Sequence, residues 1–411
     1  MTTAHAHETR RSLALAILLT TQLMVILDGT IVNVALPTIR EDLGFTDSGL
    51  AWVVNGFFIP FAALLLPAGR LGDLVGSRRV FLTGLMVFTV ATALCGFAVG
   101  PASLVVARVA QGAGAALTSA VVLGMIAHLY DDAAARTRAY ALAAFVGSAG
   151  ASIGVVAGGL LTDLTSWRWV FWVNVPIGVV VLLAASALLE PSTDTPGLRR
   201  GLAAGLTLVP RSLLTSAGFL LPNLVLFTMT VAGFSFQFLS ALYLQDTLGL
   251  DALRTGLAYL PVTLAIAVAS LGLSGRLAKR YGAQRVLVAG LLLFLAGMLL
   301  MARLPDHGSF AVHVAPGFVV MGLGFGLAMP QVTTIAMAAA PARDAGAASG
   351  FVNTTQQAGG ALGLALVATV AAGQSRAAGF VVAAAALALG ALVASYLMVA
   401  ERVAPPTLER C

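Results

Sequence analysis

Charge is scarce in this chain: Asp, Glu, Lys and Arg make up 10% of its 411 residues, against 59% hydrophobic. A soluble fold of this length needs a far larger charged surface, so a soluble globular enzyme or scaffold is excluded. Cysteine is nearly absent. Cys95 lies in an apolar run and Cys411 at the terminus, which leaves no disulfide framework and no thiolate metal site. The chain carries no phosphate-binding G-x-x-x-x-G-K-[ST] loop, no cluster of metal ligands and no nucleophile–base–acid set. A nucleotide-driven pump and an enzyme both lack their chemistry, and no cofactor is expected.

Long apolar runs are what the chain has in plenty. Twelve runs of roughly 20 residues fall at 13–36, 48–69, 80–99, 102–126, 137–162, 169–189, 218–244, 255–275, 285–303, 310–338, 349–372 and 376–399. Each can cross a hydrocarbon layer ~30 Å thick as a helix. No small-residue cleavage site follows the first, so it reads as a retained span. An even count puts both termini on one side. The loops on that side hold seventeen basic residues; the opposite loops hold five, Arg40, Arg168, Arg254, Arg303 and Arg376. The positive-inside rule then places both termini in the cytoplasm of a cell (inner) membrane protein. The net charge of +6 is an orientation signal, and nucleic acid is not an expected partner.

The chain also repeats. Gly69-Arg70-Leu71-Gly72-Asp73-Leu74-Val75-Gly76-Ser77-Arg78-Arg79 returns, altered, at Gly275-Arg276-Leu277-Ala278-Lys279-Arg280-Tyr281-Gly282, offset by 206 residues. Gln111-Gly112-Ala113-Gly114 in span 4 answers Met321-Gly322-Leu323-Gly324 in span 10. Ala149-Gly150 with Gly154 in span 5 answers Ala358-Gly359 with Gly363 in span 11. Duplicated six-helix units predict an all-α membrane protein of two six-helix transmembrane bundles around a central cavity, working by alternating access. The expected organisation is an N-terminal bundle at 1–190, a cytoplasmic linker at 191–217 and a C-terminal bundle at 218–411. Each pair of repeats encloses its own pathway, so a monomer is expected.

Asp28 is the one acid placed deep in the membrane, about 12 Å from the outer end of span 1 at 1.5 Å per residue. Arg108 lies about 9 Å deep in the oppositely directed span 4 by the same rise. They can meet at one level, either as a proton-coupling pair or as a permanent ion pair locking two spans. Asp73, between Gly72 and Gly76, can meet a helix N-terminus such as the start of span 11 and so latch a gate; the alternative is a turn whose charges, Arg78 among them, set topology alone. Arg108, Gln111, Gly112, Ala115 and Ser119 share one small, polar face of span 4. Asn353, Gln356, Gln357 and Gly360 do the same on span 11. Such faces line a cavity or bond neighbouring helices. Phe234, Gln237 and Phe238 on span 7 suit a large, partly apolar ligand or a plain packing face. Asn33 and Gln331 are further substrate-binding candidates. Trp52, Trp167, Trp169 and Trp172 fit an interfacial aromatic belt.

With these residues in view, the chain resembles the drug/proton antiporters of the major facilitator superfamily over nearly its whole length. Gly69, Leu71, Gly72, Asp73, Gly76 and Arg78 match the family's G-x-L-a-D-r-x-G-r-k loop. Leu104, Arg108, Gln111, Gly112, Gly114, Ala115 and Ala116 match its span-4 pattern. Leu27-Asp28-Gly29-Thr30 through Asn33 to Pro37, and Trp167-Arg168-Trp169-Val170-Phe171-Trp172 through Asn174 to Gly178, are similar to signatures of the fourteen-helix multidrug exporters. The resemblance implies proton-coupled export of hydrophobic or amphipathic small molecules such as drugs or antibiotics, with protons and the lipid bilayer as further partners. In the exporters' span-5 pattern, Gly150, Gly154, Gly158 and Gly159 match as helix-packing positions, but Val155 stands where the pattern has proline. That departure keeps open a proton-coupled importer of a nutrient or metabolite; a non-transporting receptor is the third alternative.

Overall fold

The computed structural model describes residues 2–130, 132–190, 209–250, 252–305, 308–373 and 376–403. The first half is built from α1 (Thr2–Leu43), α2 (Asp47–Val75), α3 (Ser77–Gly96), α4 (Pro101–Leu129), α5 (Ala133–Leu164) and α6 (Trp169–Leu188). The second is built from α7 (Ala217–Thr247), α8 (Arg254–Tyr281), α9 (Ala283–Met301), α10 (Phe310–Ala338), α11 (Ala345–Gly373) and α12 (Arg376–Val403). No strand occurs among the described residues. Ten of these stretches are long and apolar enough to cross a membrane. α5 and α11 match them in length, at 32 and 29 residues, and carry more glycine and polar side chains. Most of the expected 191–217 linker, residues 191–208, lies outside the described residues. Its end forms a short helix, Arg211–Leu214, with Leu213 buried.

The helices stop where their sequences require it. Thr46 accepts the Gly49 N–H to start α2, and Asp132 accepts the Ala135 N–H to start α5. Gly76 (φ 100°) breaks α2 from α3, and Gly282 (φ 90°) breaks α8 from α9. Both sit at the same place in the repeated turn, in a backbone region that residues with a Cβ disfavour.

The two halves pack alike. α3 lies on α4 as α9 lies on α10, and α1 lies on α5 as α7 lies on α11. Small residues make this possible. A Cβ on Gly84 would sit 2.9 Å from the Gly114 carbonyl, and one on Gly290 would sit 2.9 Å from the Gly324 carbonyl. A Cβ on Gly158 would come within 2.7 Å of the Ile31 carbonyl, and one on Gly363 within 2.6 Å of the Val231 carbonyl. Such close backbone approach replaces the hydrophobic drive that helices lack in lipid. Between the halves, α11 packs on α2 and α4 while α5 packs on α8 and α10. The second half alone, among the described residues, contains π-helical turns, at Tyr243–Thr247, Val268–Ser274 and Phe310–Val314.

The aromatic belt needs one correction. Trp52 and Trp169 are exposed, but Trp167 is 2% exposed and donates its indole N–H to Asp42 at 3.0 Å. Arg168 also donates to Asp42, at 2.7 Å, and its guanidinium lies over the Trp167 ring. A polar tip with a partner inside the protein has no need of the interface. These three residues staple the end of α1 to the α5–α6 connection.

Candidate functional site

Asp28 and Arg108 are both fully buried, and Arg108 Nη1 donates to Asp28 Oδ2. The pair joins α1 to α4 within the first bundle. A charged pair in this setting needs its remaining polar atoms matched. Arg108 Nε donates to the Val53 carbonyl of α2 at 2.8 Å, and Nη1 also donates to Gln111 Oε1 at 2.7 Å. The Phe57 ring centroid lies 4.6 Å and that of Phe171 5.8 Å from the guanidinium carbon. Gln111 Nε2 donates to Asp28 Oδ1 and to Thr92 Oγ1, each at 2.7 Å. The Cys95 thiol lies 3.6 Å from Gln111 Oε1. The spacing of Arg108 and Gln111, three apart on α4, puts both on the face turned to α1 and α3. Gly112, the next residue round that face, sits against the Phe57 carbonyl, so the helix backbones can close around the polar cluster.

A second cluster lies at the opposite end of α2. Asp73 Oδ1 accepts the Gly346 N–H at 2.6 Å, and Oδ2 accepts the Ala347 N–H at 2.8 Å. These are free amides of the first turn of α11, where a carboxylate satisfies donors and faces the positive end of the helix dipole. Arg70 reaches both Asp73 (3.7 Å) and Asp344 (3.5 Å), and Ser212, in the short helix before α7, donates to Asp344 at 3.1 Å. A Cβ on Gly69 would sit 3.0 Å from Gly350 Cα, so the α2–α11 crossing leaves no room for a side chain there. Gly72 faces Val121 of α4. Arg78, at the start of α3, donates to the Ser186 carbonyl of α6 and so serves the first bundle itself.

The remaining candidates separate by environment. Asn353 on α11 donates to the Ser119 carbonyl of α4 at 3.1 Å and to Ser349 O at 2.9 Å, bridging the two halves. Gln331 is buried and donates to Ser274 Oγ at 2.8 Å, tying α10 to α8. Phe234 and Gln237 are exposed, Phe238, Gln356 and Gln357 half-buried. The Phe234 ring covers Gly360 of α11, 3.0 Å from where a Cβ would stand. Gly150, Gly154 and Gly158 are buried against α1; Gly159 lies on α5 and Asn33 on α1, both outside the residues whose environment is described. The span-4 face of Arg108, Gln111, Gly112, Ala115 and Ser119 is packed throughout. Thr92, Cys95, Asp344 and Ser212 were not singled out by sequence. A threonine in an apolar helix most often bonds its own backbone, so its type alone carries no site signal.

The profile of the Major Facilitator Superfamily matches residues 18–364 and 272–409. The chain belongs to this superfamily and is a multi-pass membrane transporter, not an enzyme. Among its relatives, the puromycin resistance protein pur8 of Streptomyces alboniger is 34% identical over 420 residues, covering 90% of this chain and 83% of that one. The cephamycin export protein CmcT of Amycolatopsis lactamdurans is 34% identical over 410 residues, covering 87% and 84%. The crystal structure of the human organic anion transporter MFSD10 (TETRAN) shares the fold at a TM-score of 0.74 and 16% identity, over 93% of this chain and 99% of that one.

Proposed function

We propose that this transporter is a proton-coupled antiporter that exports hydrophobic or amphipathic small molecules, such as drugs or antibiotics, from the cytoplasm. The observation that carries the reading is the buried Asp28–Arg108–Gln111 cluster: one acid, hydrogen-bonded on both oxygens, deep in a membrane bundle. An ionisable group so placed marks an ion or proton path. The relatives' names, puromycin resistance and cephamycin export, support the direction and the substrate class.

In this reading residues 1–190 and 218–411 are the two bodies that rock, joined by the cytoplasmic linker 191–217. Both termini face the cytoplasm, and the protein works as a monomer in the cell membrane. The Asp73–α11 contact and the Asn353–Ser119 bridge hold the cytoplasmic ends of the bodies together, which leaves access from outside. A proton reaching Asp28 neutralises it and weakens its hold on Arg108. Release of that hold favours opening towards the cytoplasm, and loss of the proton resets the cycle. Substrate lies between the bodies, against Phe234, Gln237 and Phe238 of α7 and Gln356 and Gln357 of α11. These offer aromatic surface and neutral amides without an acid, so neutral or weakly charged substrates fit better than dications.

The test uses proteoliposomes with an imposed pH gradient and an internal pH dye. Addition of lipophilic drugs should trigger proton movement, abolished in Asp28→Asn. Coupled movement that survives the substitution moves the proton site elsewhere. Drug moving with protons instead of against them would make the protein an importer.

A further inference from the structure

We propose that Thr92 on α3 is a positioning residue for Asp28: it fixes the Gln111 amide so that Gln111 always presents a donor to the carboxylate. The inference rests on the reading of Asp28 as the proton carrier.

Thr92 is fully buried, and its hydroxyl donates to the Phe88 carbonyl at 2.6 Å. A hydroxyl has one proton. With that proton committed to Phe88, Oγ1 can offer Gln111 only a lone pair, and it accepts from Nε2 at 2.7 Å. This pins one Nε2 proton and aims the other at Asp28 Oδ1, also at 2.7 Å. Gln111 Oε1 then faces Arg108 Nη1 and the Cys95 thiol. All of the amide's hydrogen-bonding groups are matched in this orientation, and turning the amide over would oppose donor to donor at Arg108. The cluster is therefore preorganised around a charged carboxylate.

Among the described residues, the titratable and charged groups facing Asp28 are Arg108 from α4 and Cys95 from α3. α2 contributes the Val53 carbonyl and the Phe57 ring, α6 the Phe171 ring, and α5 turns Gly150 and Gly154 to α1. Arg108 and the Cys95 thiol hold the amide at its oxygen, and none of these groups accepts from its nitrogen. Thr92 is thus the residue outside the ion pair that anchors the amide nitrogen. Removing its acceptor leaves a buried Nε2 proton unpaired and lets the amide swing from Oδ1, so Asp28 takes up its proton more readily.

Infrared difference spectra of the reconstituted protein, with the carboxyl band identified by its loss in Asp28→Asn, read this directly. Thr92→Val, close in shape but without the acceptor, should move the midpoint of Asp28 protonation to higher pH by about one unit, the size of one charge-assisted hydrogen bond. Thr92→Ser keeps the acceptor and should return the midpoint to that of the native protein. Should Thr92→Val fail to fold, Thr92→Ala makes the same comparison. A midpoint unmoved in both Val and Ala variants overturns the inference. The drug-driven proton flux of Asp28→Asn is scored separately: flux that persists there moves the coupling site away from Asp28, while a shifted band still supports the role of Thr92.

Discussion

Arg108 shows why a charge can be kept in a membrane bundle. Its guanidinium makes a planar fork that meets Asp28, Gln111 and the Val53 carbonyl at once. A lysine offers a point charge without that fork. Arg108→Lys should keep the net charge yet lose the Val53 and Gln111 contacts, lowering drug-coupled proton flux tenfold or more, on the order of one hydrogen bond to a charged group. Proteoliposome flux at matched protein density checks this; flux within twofold of native would show that charge alone suffices. Asp28→Ala is a different experiment. It strands the buried guanidinium, at a cost of about 3–5 kcal/mol, so lost transport there would reflect lost folding.

Asp42 lies beyond the first span, and its carboxyl is held below the usual range by the Trp167 indole N–H and then by Arg168. A carboxylate with a lowered folded-state value stabilises the fold at neutral pH. That contribution begins to fade near the ordinary carboxylate value of about 4 and is lost as pH falls through the lower, folded one. Thermal unfolding of the native protein should therefore occur above that of Asp42→Asn at pH 7, with the gap closing below about pH 4. A gap independent of pH would show that the staple owes nothing to charge.

Among the elements, the α1–α5 contact is the most demanding. Gly158 leaves no space for a Cβ beside the Ile31 backbone, and Gly154 and Gly150 meet Thr30 and Leu23 in turn. Backbone cannot yield as a flexible side chain can. Gly158→Val should force the helices apart and cost about 1–3 kcal/mol, as overpacking does, read as a lower unfolding temperature in detergent. Gly233 on α7 has open space at the Cβ position. Gly233→Ala should be neutral or slightly stabilising, because alanine is the better helix former.

At the scale of the whole molecule, the structure is closed at one end by contacts that cross between the halves. Asp73 caps α11, Asn353 bonds the Ser119 carbonyl, and Thr334 of α10 donates to Thr137 of α5 at 3.3 Å. Asp73→Asn removes the charge from the helix terminus, an interaction worth about 0.3–2 kcal/mol. It should shift the resting population towards the state open at this end by up to about thirtyfold, seen as increased labelling of a cysteine introduced at Ser349. A cysteine pair at Thr137 and Thr334, joined by a short cleavable reagent, should stop transport until the link is cut. Full transport with the link intact would mean that α5 and α10 move as one body.

By itself the sequence determined the class of molecule and its scaffold. Apolar runs of membrane-crossing length leave helices as the solution that satisfies the backbone, and the repeated turn with its glycines shows two like halves. It also exposed the unusual residues, because an acid and an arginine in such runs stand out whatever they touch. Tertiary structure decided partnership. Lone residues on α3, such as Thr92 and Cys95, acquire meaning only once α3 closes on α4 beside Gln111. Asp344, which Ser212 also bonds, meets Arg70 only when the halves come together, and Trp167 turns inward because Asp42, far off in the chain, supplies an acceptor. Local pattern reports what each helix must hide from lipid; which polar atom answers which depends on how helices distant in sequence are docked.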